Sequence, residues 1–134
     1  MKVIFDNNIW VSYAIGKHLN DIPAILKRPD IEMFACDELF AEFERVRHYP
    51  KLIKILNPKR VAETFELMNA KAIVVQIAHR AADFIDPKDN YLLDLCDTVE
   101  AHYLVTGDVQ LLNLGHHNRT RILRYRTFCE MLGL

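Results

Sequence analysis

Four carboxylates stand apart from the other acids of this 134-residue sequence by where they fall. Asp6 ends the apolar run Val3-Ile4-Phe5, and Asp108 follows the run Tyr103-Leu104-Val105 across a Thr106-Gly107 turn. Asp89 falls in the first turn of a helix opened by Asp86-Pro87, on the flank of that helix's apolar face. Glu42 projects within about 70° of the centre of the apolar face of another helix, whereas Glu44 points away from its face. Carboxylates gathered in one crevice repel and raise one another's pKa, so keeping them ionised takes a counter-charge. Mg²⁺ or Mn²⁺ supplies it, because these hard cations take oxygen ligands, commonly a few carboxylates with waters and substrate phosphates. Such an ion turns water into a nucleophile and stabilises a phosphodiester under in-line attack; two ions about 4 Å apart do both. No His or Cys spacing competes for a softer metal.

These acids depend on elements that bring them together. Val3-Ile4-Phe5 lacks polar alternation and reads as a strand buried on both faces of a parallel sheet. Asn7 or Asn8 can cap the next helix, in which Ile9, Trp10, Tyr13 and Ala14 recur at helical spacing. A second helix spans Asp21 to Lys27, ending before Pro29, and Met33 to Cys36 makes the second strand. The third helix starts near Asp37 with Leu39, Phe40, Phe43 and Val46 inward. Pro50 and Pro58 bracket a short helical piece, Lys51 to Leu56, and Lys59 to Asn69 makes another helix. Ile73 to Ile77 is a β-branched strand. With Asp86 as N-cap, a helix runs from about Lys88 to about Ala101, with Leu92, Leu95, Cys96 and Val99 on one face and Asp94 and Asp97 opposite. Tyr103 to Val105, one helical turn at Val109 to Leu112, a strand at Thr120 to Leu123 and a helix at Thr127 to Leu132 complete the chain. Alternating strands and helices predict βαβ units, hence an α/β fold with a mainly parallel, helix-covered sheet. In such sheets ligands bind at the strand carboxyl ends, where Asp6 and Asp108 fall.

Each acid also has a purely structural reading. Asp89, three residues after Asp86, fits the N3 partner of a capping arrangement. Asp6 fits a turn or cap, Asp108 a Gly-Asp turn, and Glu42 a solvated helix acid. Their joint placement favours the functional reading.

Composition sets further bounds. A hydrophobic content of 51% suffices for the core of one domain, residues 1–134. No apolar run reaches the ~20 residues of a membrane span, and the N-terminus enters a strand pattern directly, so cytoplasmic residence without membrane association is expected. Three cysteines without CxxC spacing argue against a disulfide framework or a zinc knuckle. The net charge of −1 conceals segregation. Arg45 to Arg60 carries six basic residues and no acid, His116 to Arg126 four arginines and no acid, and Asp83 to Asp108 seven acids against Lys88 alone. A chain so divided can hold cations at one place and a polyanion beside it. Arg45, Arg47 and Lys51 are the expected phosphate contacts, with Tyr49 stacking on a base.

Taken in order, the segments Phe5-Asp6-Asn7-Asn8-Ile9-Trp10-Val11-Ser12, Leu39-Phe40-Ala41-Glu42, Asp86-Pro87-Lys88-Asp89-Asn90 and Leu104-Val105-Thr106-Gly107-Asp108 resemble the PIN domain family. The likeness covers nearly the whole chain and is strongest to the VapC-type toxins of toxin-antitoxin pairs. It implies a three-layer α/β/α sandwich and Mg²⁺- or Mn²⁺-dependent endonucleolytic cleavage of RNA. Asp6, Asp89 and Asp108 would be the main metal ligands and Glu42 a fourth, directly or through water. Asn8 and Asn90 would orient those ligands, and Thr106 would donate to one of the carboxylates. An antitoxin partner and a homodimer are implied as well. Asn7 stands where many members carry Thr or Ser, and the Pro often found between the last strand and final helix is absent. The alternatives are a catalytically silent PIN-like module that binds RNA or protein, and a phosphotransfer or phosphatase domain with Asp6 as nucleophile. The latter lacks a second carboxylate two residues after Asp6.

Overall fold

The computed structural model describes residues 1–80, 82–83 and 87–134. Its strands are β1 (Lys2–Phe5), β2 (Glu32–Ala35), β3 (Ile73–Val74), β4 (Tyr103–Val105), β5 (His116–His117) and β6 (Thr120–Leu123). They form one sheet in the order β3-β2-β1-β4-β6-β5, parallel throughout except for β5, which pairs antiparallel with β6. The helices are α1 (Asn7–Ile15), α2 (Asp21–Lys27), α3 (Asp37–Val46), α4 (Pro50–Ile53), α5 (Pro58–Lys71), α6 (Asn90–Val99), α7 (Val109–Leu114) and α8 (Tyr125–Met131). Val3, Ile4 and Phe5 are each 0% exposed. Successive strand residues point to opposite faces, so both faces of the sheet are covered and the architecture is a three-layer α/β/α sandwich. On one side α1 packs against α3 and α5. Phe128 of α8 meets Phe5 edge-on, with ring centroids 5.9 Å apart.

From β1 the chain builds outward through β2 to β3, then returns across the sheet to place β4 on the other side of β1. The switch point therefore lies between β1 and β4, the place where the loops diverge and leave a crevice. Phe5 stands opposite Val105 at the carboxyl end of this pair, and the Asp6 amide donates to the Val105 carbonyl at 2.9 Å.

Apart from shifts of one to three residues at helix ends, such as α4 ending at Ile53 and not Leu56, the structure departs from the sequence reading at three elements. β3 stops at Val74 instead of reaching Ile77, and both its residues are exposed. Its partner β2 ends at Ala35 before the chain turns into α3, so residues beyond Val75 have no ladder to join. β5 was not anticipated: a His-His dipeptide has no strand pattern of its own. It forms because Asn118 adopts a φ of 52° and lets the chain fold back on β6. Asp94, expected on the outer face of its helix, is only 4% exposed. The backbone at Ala82 lies over it, and the Ala82 amide donates to its Oδ1 at 2.8 Å. That helix starts as a 3₁₀ turn, Pro87–Asp89, before α6 proper; the N-cap expected at Asp86 lies outside the described residues.

Arg60, counted by sequence in the basic tract, has a structural role. Its guanidinium donates to the Tyr13 carbonyl at 2.7 Å, lies 4.7 Å from the centre of the Tyr13 ring and pairs with Glu63 at 3.0 Å. It thereby fastens α5 to α1. Arg60→Ala is expected to lower stability by about 1–3 kcal/mol through loss of the carbonyl bond and the ring contact. Arg60→Lys should restore only part of that, because an ammonium cannot reproduce the planar fork. Urea midpoints check this, and an unchanged midpoint in the alanine variant would dismiss the clamp.

Candidate active site

The four acids singled out by sequence line one cleft, of about 210 Å³, together with Asn7, Asn8, Arg45, Tyr49 and Lys88. Asp6 leaves the end of β1 and Asp108 follows β4 after the Thr106-Gly107 turn. Glu42 arrives from the second turn of α3, and Asp89 from the residue that leads into α6. Three of them also stand at helix N-termini, two as side-chain caps. Asp6 Oδ1 accepts from the Asn7 amide at 2.6 Å and stands at the N-cap of α1. Asp108 Oδ1 accepts from the amides of Gln110 and Leu111 at 2.8 and 3.3 Å, and Asp89 occupies the N-cap position of α6. The structural reading of Asp6 as a cap holds, and at all three positions a helix N-terminus favours negative charge.

Thr106, wholly buried, holds the first and last acids in register. Its hydroxyl donates to Asp6 Oδ2 at 2.7 Å and accepts from the Asp108 amide at 3.0 Å. The Asn8 amide donates to the same Asp6 oxygen at 3.3 Å, and its carbonyl oxygen accepts from the Gly107 amide at 3.1 Å. Thr106 therefore supplies Asp6 with a hydroxyl that the Asn7 position lacks. Glu42, with its side chain 13% exposed, accepts from the Tyr91 hydroxyl at 2.9 Å. Burial and the Glu42 charge push the Tyr91 phenol far above its ordinary range, so it remains a donor. Sequence reasoning missed Tyr91 because its partner lies 49 residues away on another helix. It also missed Lys88 as a cleft residue, although that is the single cation inside the acidic stretch. Asn90 opens α6 next to Asp89.

Of the expected RNA contacts, Arg45 and Tyr49 line the cleft, and Arg45 lies 4.0 Å from Glu42. Lys51 lies outside it, in a neighbouring hollow shared with Tyr49 and Pro50. Arg47 is held by Glu44 through bonds of 2.9 and 3.1 Å.

Among the described residues no three carboxylate, imidazole or thiolate side chains stand together at metal-chelating spacing. The chemistry of the donors nevertheless fits a hard cation, because every acid on the cleft is an oxygen donor. A further oxygen adjoins them: the buried Asn7 amide oxygen finds no hydrogen-bond donor among the described residues. Asp6 records the cost of its burial. Burial first, with the charges of Glu42 and Asp108 added, pushes its carboxyl from 3.8 up to about 6, against the opposing bonds from Thr106 and Asn7.

A raised carboxyl pKa means that the folded protein holds the Asp6 proton more tightly than the unfolded chain does. Between about pH 4 and pH 6 the native state binds more protons, so stability falls as pH rises, and the cost is complete above the folded pKa. In chelator, this group is expected to remove on the order of 2–3 kcal/mol between pH 4 and pH 7. Asp6→Asn should abolish that part of the slope and unfold later than the wild type at pH 7. Urea melts across the pH range provide the check, and parallel profiles for the two proteins would overturn it.

Comparison with known proteins bears on the fold and the family. No curated protein matches the sequence significantly. Among solved structures, the fold resembles that of VapBC2 from Rickettsia felis bound to a DNA fragment from their promoter, with a TM-score of 0.62 and 14% identity. The superposition covers 93% of this chain and 99% of that one, a likeness that establishes the fold. A sequence model of the PIN domain matches residues 2–110, and the chain belongs to the PIN domain family.

Proposed function

We propose that this PIN domain is a divalent-metal-dependent endoribonuclease and the toxin member of a toxin-antitoxin pair. The observation that carries the reading is the arrival of Asp6, Glu42, Asp89 and Asp108 from four separate elements on one cleft at the switch point. Asp6, Asp89 and Asp108 hold Mg²⁺ or Mn²⁺, with Glu42 as a fourth ligand, directly or through water. The chemistry such an ion supplies is activation of the attacking water and neutralisation of charge gathering on the phosphodiester. Thr106 and Asn8 fix the orientation of Asp6, Asn90 steadies the entry of Asp89, and Tyr91 fixes Glu42. Arg45 and Lys88 offset the acids on the rim and meet the phosphates, and Tyr49, exposed at 48%, offers a ring to a base.

Asp6 as a phosphatase nucleophile is disfavoured, because the residue two positions on is Asn8 and not a second carboxylate. A silent RNA- or protein-binding module draws support from the lack of a three-donor cage among the described residues. Asp6→Asn, Asp89→Asn and Asp108→Asn are each expected to lower RNA cleavage by at least about a hundredfold, and Glu42→Gln by about tenfold. Chelator should stop the wild-type reaction and Mn²⁺ or Mg²⁺ restore it. Full activity in the purified Asp6 and Asp108 variants would eliminate the mechanism. RNA binding without cleavage in any metal would favour the silent module.

The toxin reading extends to partners: a homodimer, and an antitoxin that covers the cleft. Sedimentation at high concentration should show the dimer, and the product of an adjacent small gene should suppress cleavage at equimolar ratio. A monomer would remove the first claim. Undiminished growth on overproducing protein that cleaves RNA in vitro would remove the toxin role.

A further inference from the structure

Asn8 also borders a second hollow, of about 390 Å³, whose walls do not include Glu42. Asn8 belongs to the walls of both hollows, so they are contiguous across one side chain. Their charges are opposite: the cleft carries four carboxylates, whereas the walls of the second hollow contain none and include Arg124 and Arg126. A polyanion entering the cleft meets four carboxylates beside Arg45 and Lys88 on one side of Asn8, and arginines without acids on the other.

The two arginines differ from most others on the surface. Arg28, Arg47, Arg60 and Arg119 make hydrogen-bonded ion pairs at 2.9–3.2 Å with Asp30, Glu44, Glu63 and Glu100. Arg124 is exposed and makes no ion pair among the described residues. Arg126 reaches Glu130 only at 3.5 Å, with its side chain 91% exposed. The same hollow presents a ring pair. His18 lies with its ring centre 4.1 Å from that of Tyr125, and Tyr125 is propped edge-on against core Phe5 at 6.1 Å. His18 holds a left-handed φ of 59° there, a conformation uncommon for any residue with a Cβ. A ring supported from the core is a stacking surface that loses little freedom when a base settles on it.

We propose that this hollow is a second subsite for single-stranded RNA, in which Arg124 and Arg126 take phosphates and one base stacks at the His18–Tyr125 pair. The strand then crosses the cleft past Asn8, with Arg45 and Tyr49 on one flank and the arginine hollow on the other. The inference rests on the nuclease reading and adds to it a minimum substrate length: an oligonucleotide confined to the cleft forgoes the contacts beyond Asn8.

The test uses the Asp108→Asn protein with Mg²⁺, so that RNA is bound without turnover, and fluorescence anisotropy with labelled single-stranded RNAs of four and twelve nucleotides. Arg124→Ala with Arg126→Ala is expected to weaken the twelve-nucleotide complex about tenfold and to flatten its salt dependence by about 1.4 log units, roughly 0.7 per lost single-strand contact. The four-nucleotide complex should change less than about twofold. His18→Asn, which removes the ring while tolerating the left-handed backbone, should weaken the longer complex about fivefold with an unchanged thermal midpoint. Unchanged affinity and salt slope for the longer RNA in the double variant would overturn the subsite. Cleavage by protein carrying Asp108 separates the two readings. If that protein cleaves RNA and the arginine substitutions leave KM for the long substrate unaltered, the subsite alone falls. If it neither binds nor cleaves RNA in any divalent metal, the nuclease reading falls and takes the subsite with it.

Discussion

β1 and β4 are neighbours in the sheet, and the pairing of their carboxyl ends sets Asp6 and Asp108 against one another around the Thr106 hydroxyl. Everything on the cleft depends on that hydroxyl having both partners. It gives its proton to one acid and its lone pair to the backbone of the other, so the two cannot separate without leaving buried polar groups unsatisfied. The contact joins positions 100 residues apart in the chain and lies at the sheet's switch point. Burial above all, with the neighbouring charges of Glu42 and Asp108 added, raises the Asp6 pKa and is the electrostatic cost of this placement.

Part of that cost is offset locally. Asp6, Asp89 and Asp108 stand at the N-termini of α1, α6 and α7, where exposed amides and the helix dipole favour negative charge. The cleft is thus ringed by helix starts, which set these three acids on its wall. For Asp6 the caps do not suffice, because burial outweighs the hydrogen bonds. A cation in the proposed site would act on the same imbalance.

The basic residues divide by how they are already engaged. Arg60 clamps α5 to α1 and Arg47 is tied to Glu44, so neither projects its charge onto the cleft. Arg45 and Lys88 sit on the rim, and Arg124 and Arg126 face the adjoining hollow. A run of cations in sequence does not make a track; a track needs side chains that the fold sets along one groove.

The sequence by itself determined the alternation of buried strands and amphipathic helices, because burial on both faces leaves an unbroken apolar run and burial on one leaves helical spacing. It also isolated Asp6, Glu42, Asp89 and Asp108, since each sits at an element's end or on the core side of a helix. These are local signals, carried by neighbours within one or two turns. Tertiary structure alone decided what lies far apart in the chain: the Thr106 bridge, the Tyr91 bond to Glu42, the cover that buries Asp94, and the early end of β3 where β2 runs out. It also separated Arg45 from Arg47, two residues apart on one segment, by setting one beside Glu42 on the cleft and bonding the other to Glu44. Periodicity specifies which face a side chain takes, but the partner that will meet it there is fixed only when the sheet order brings distant segments together.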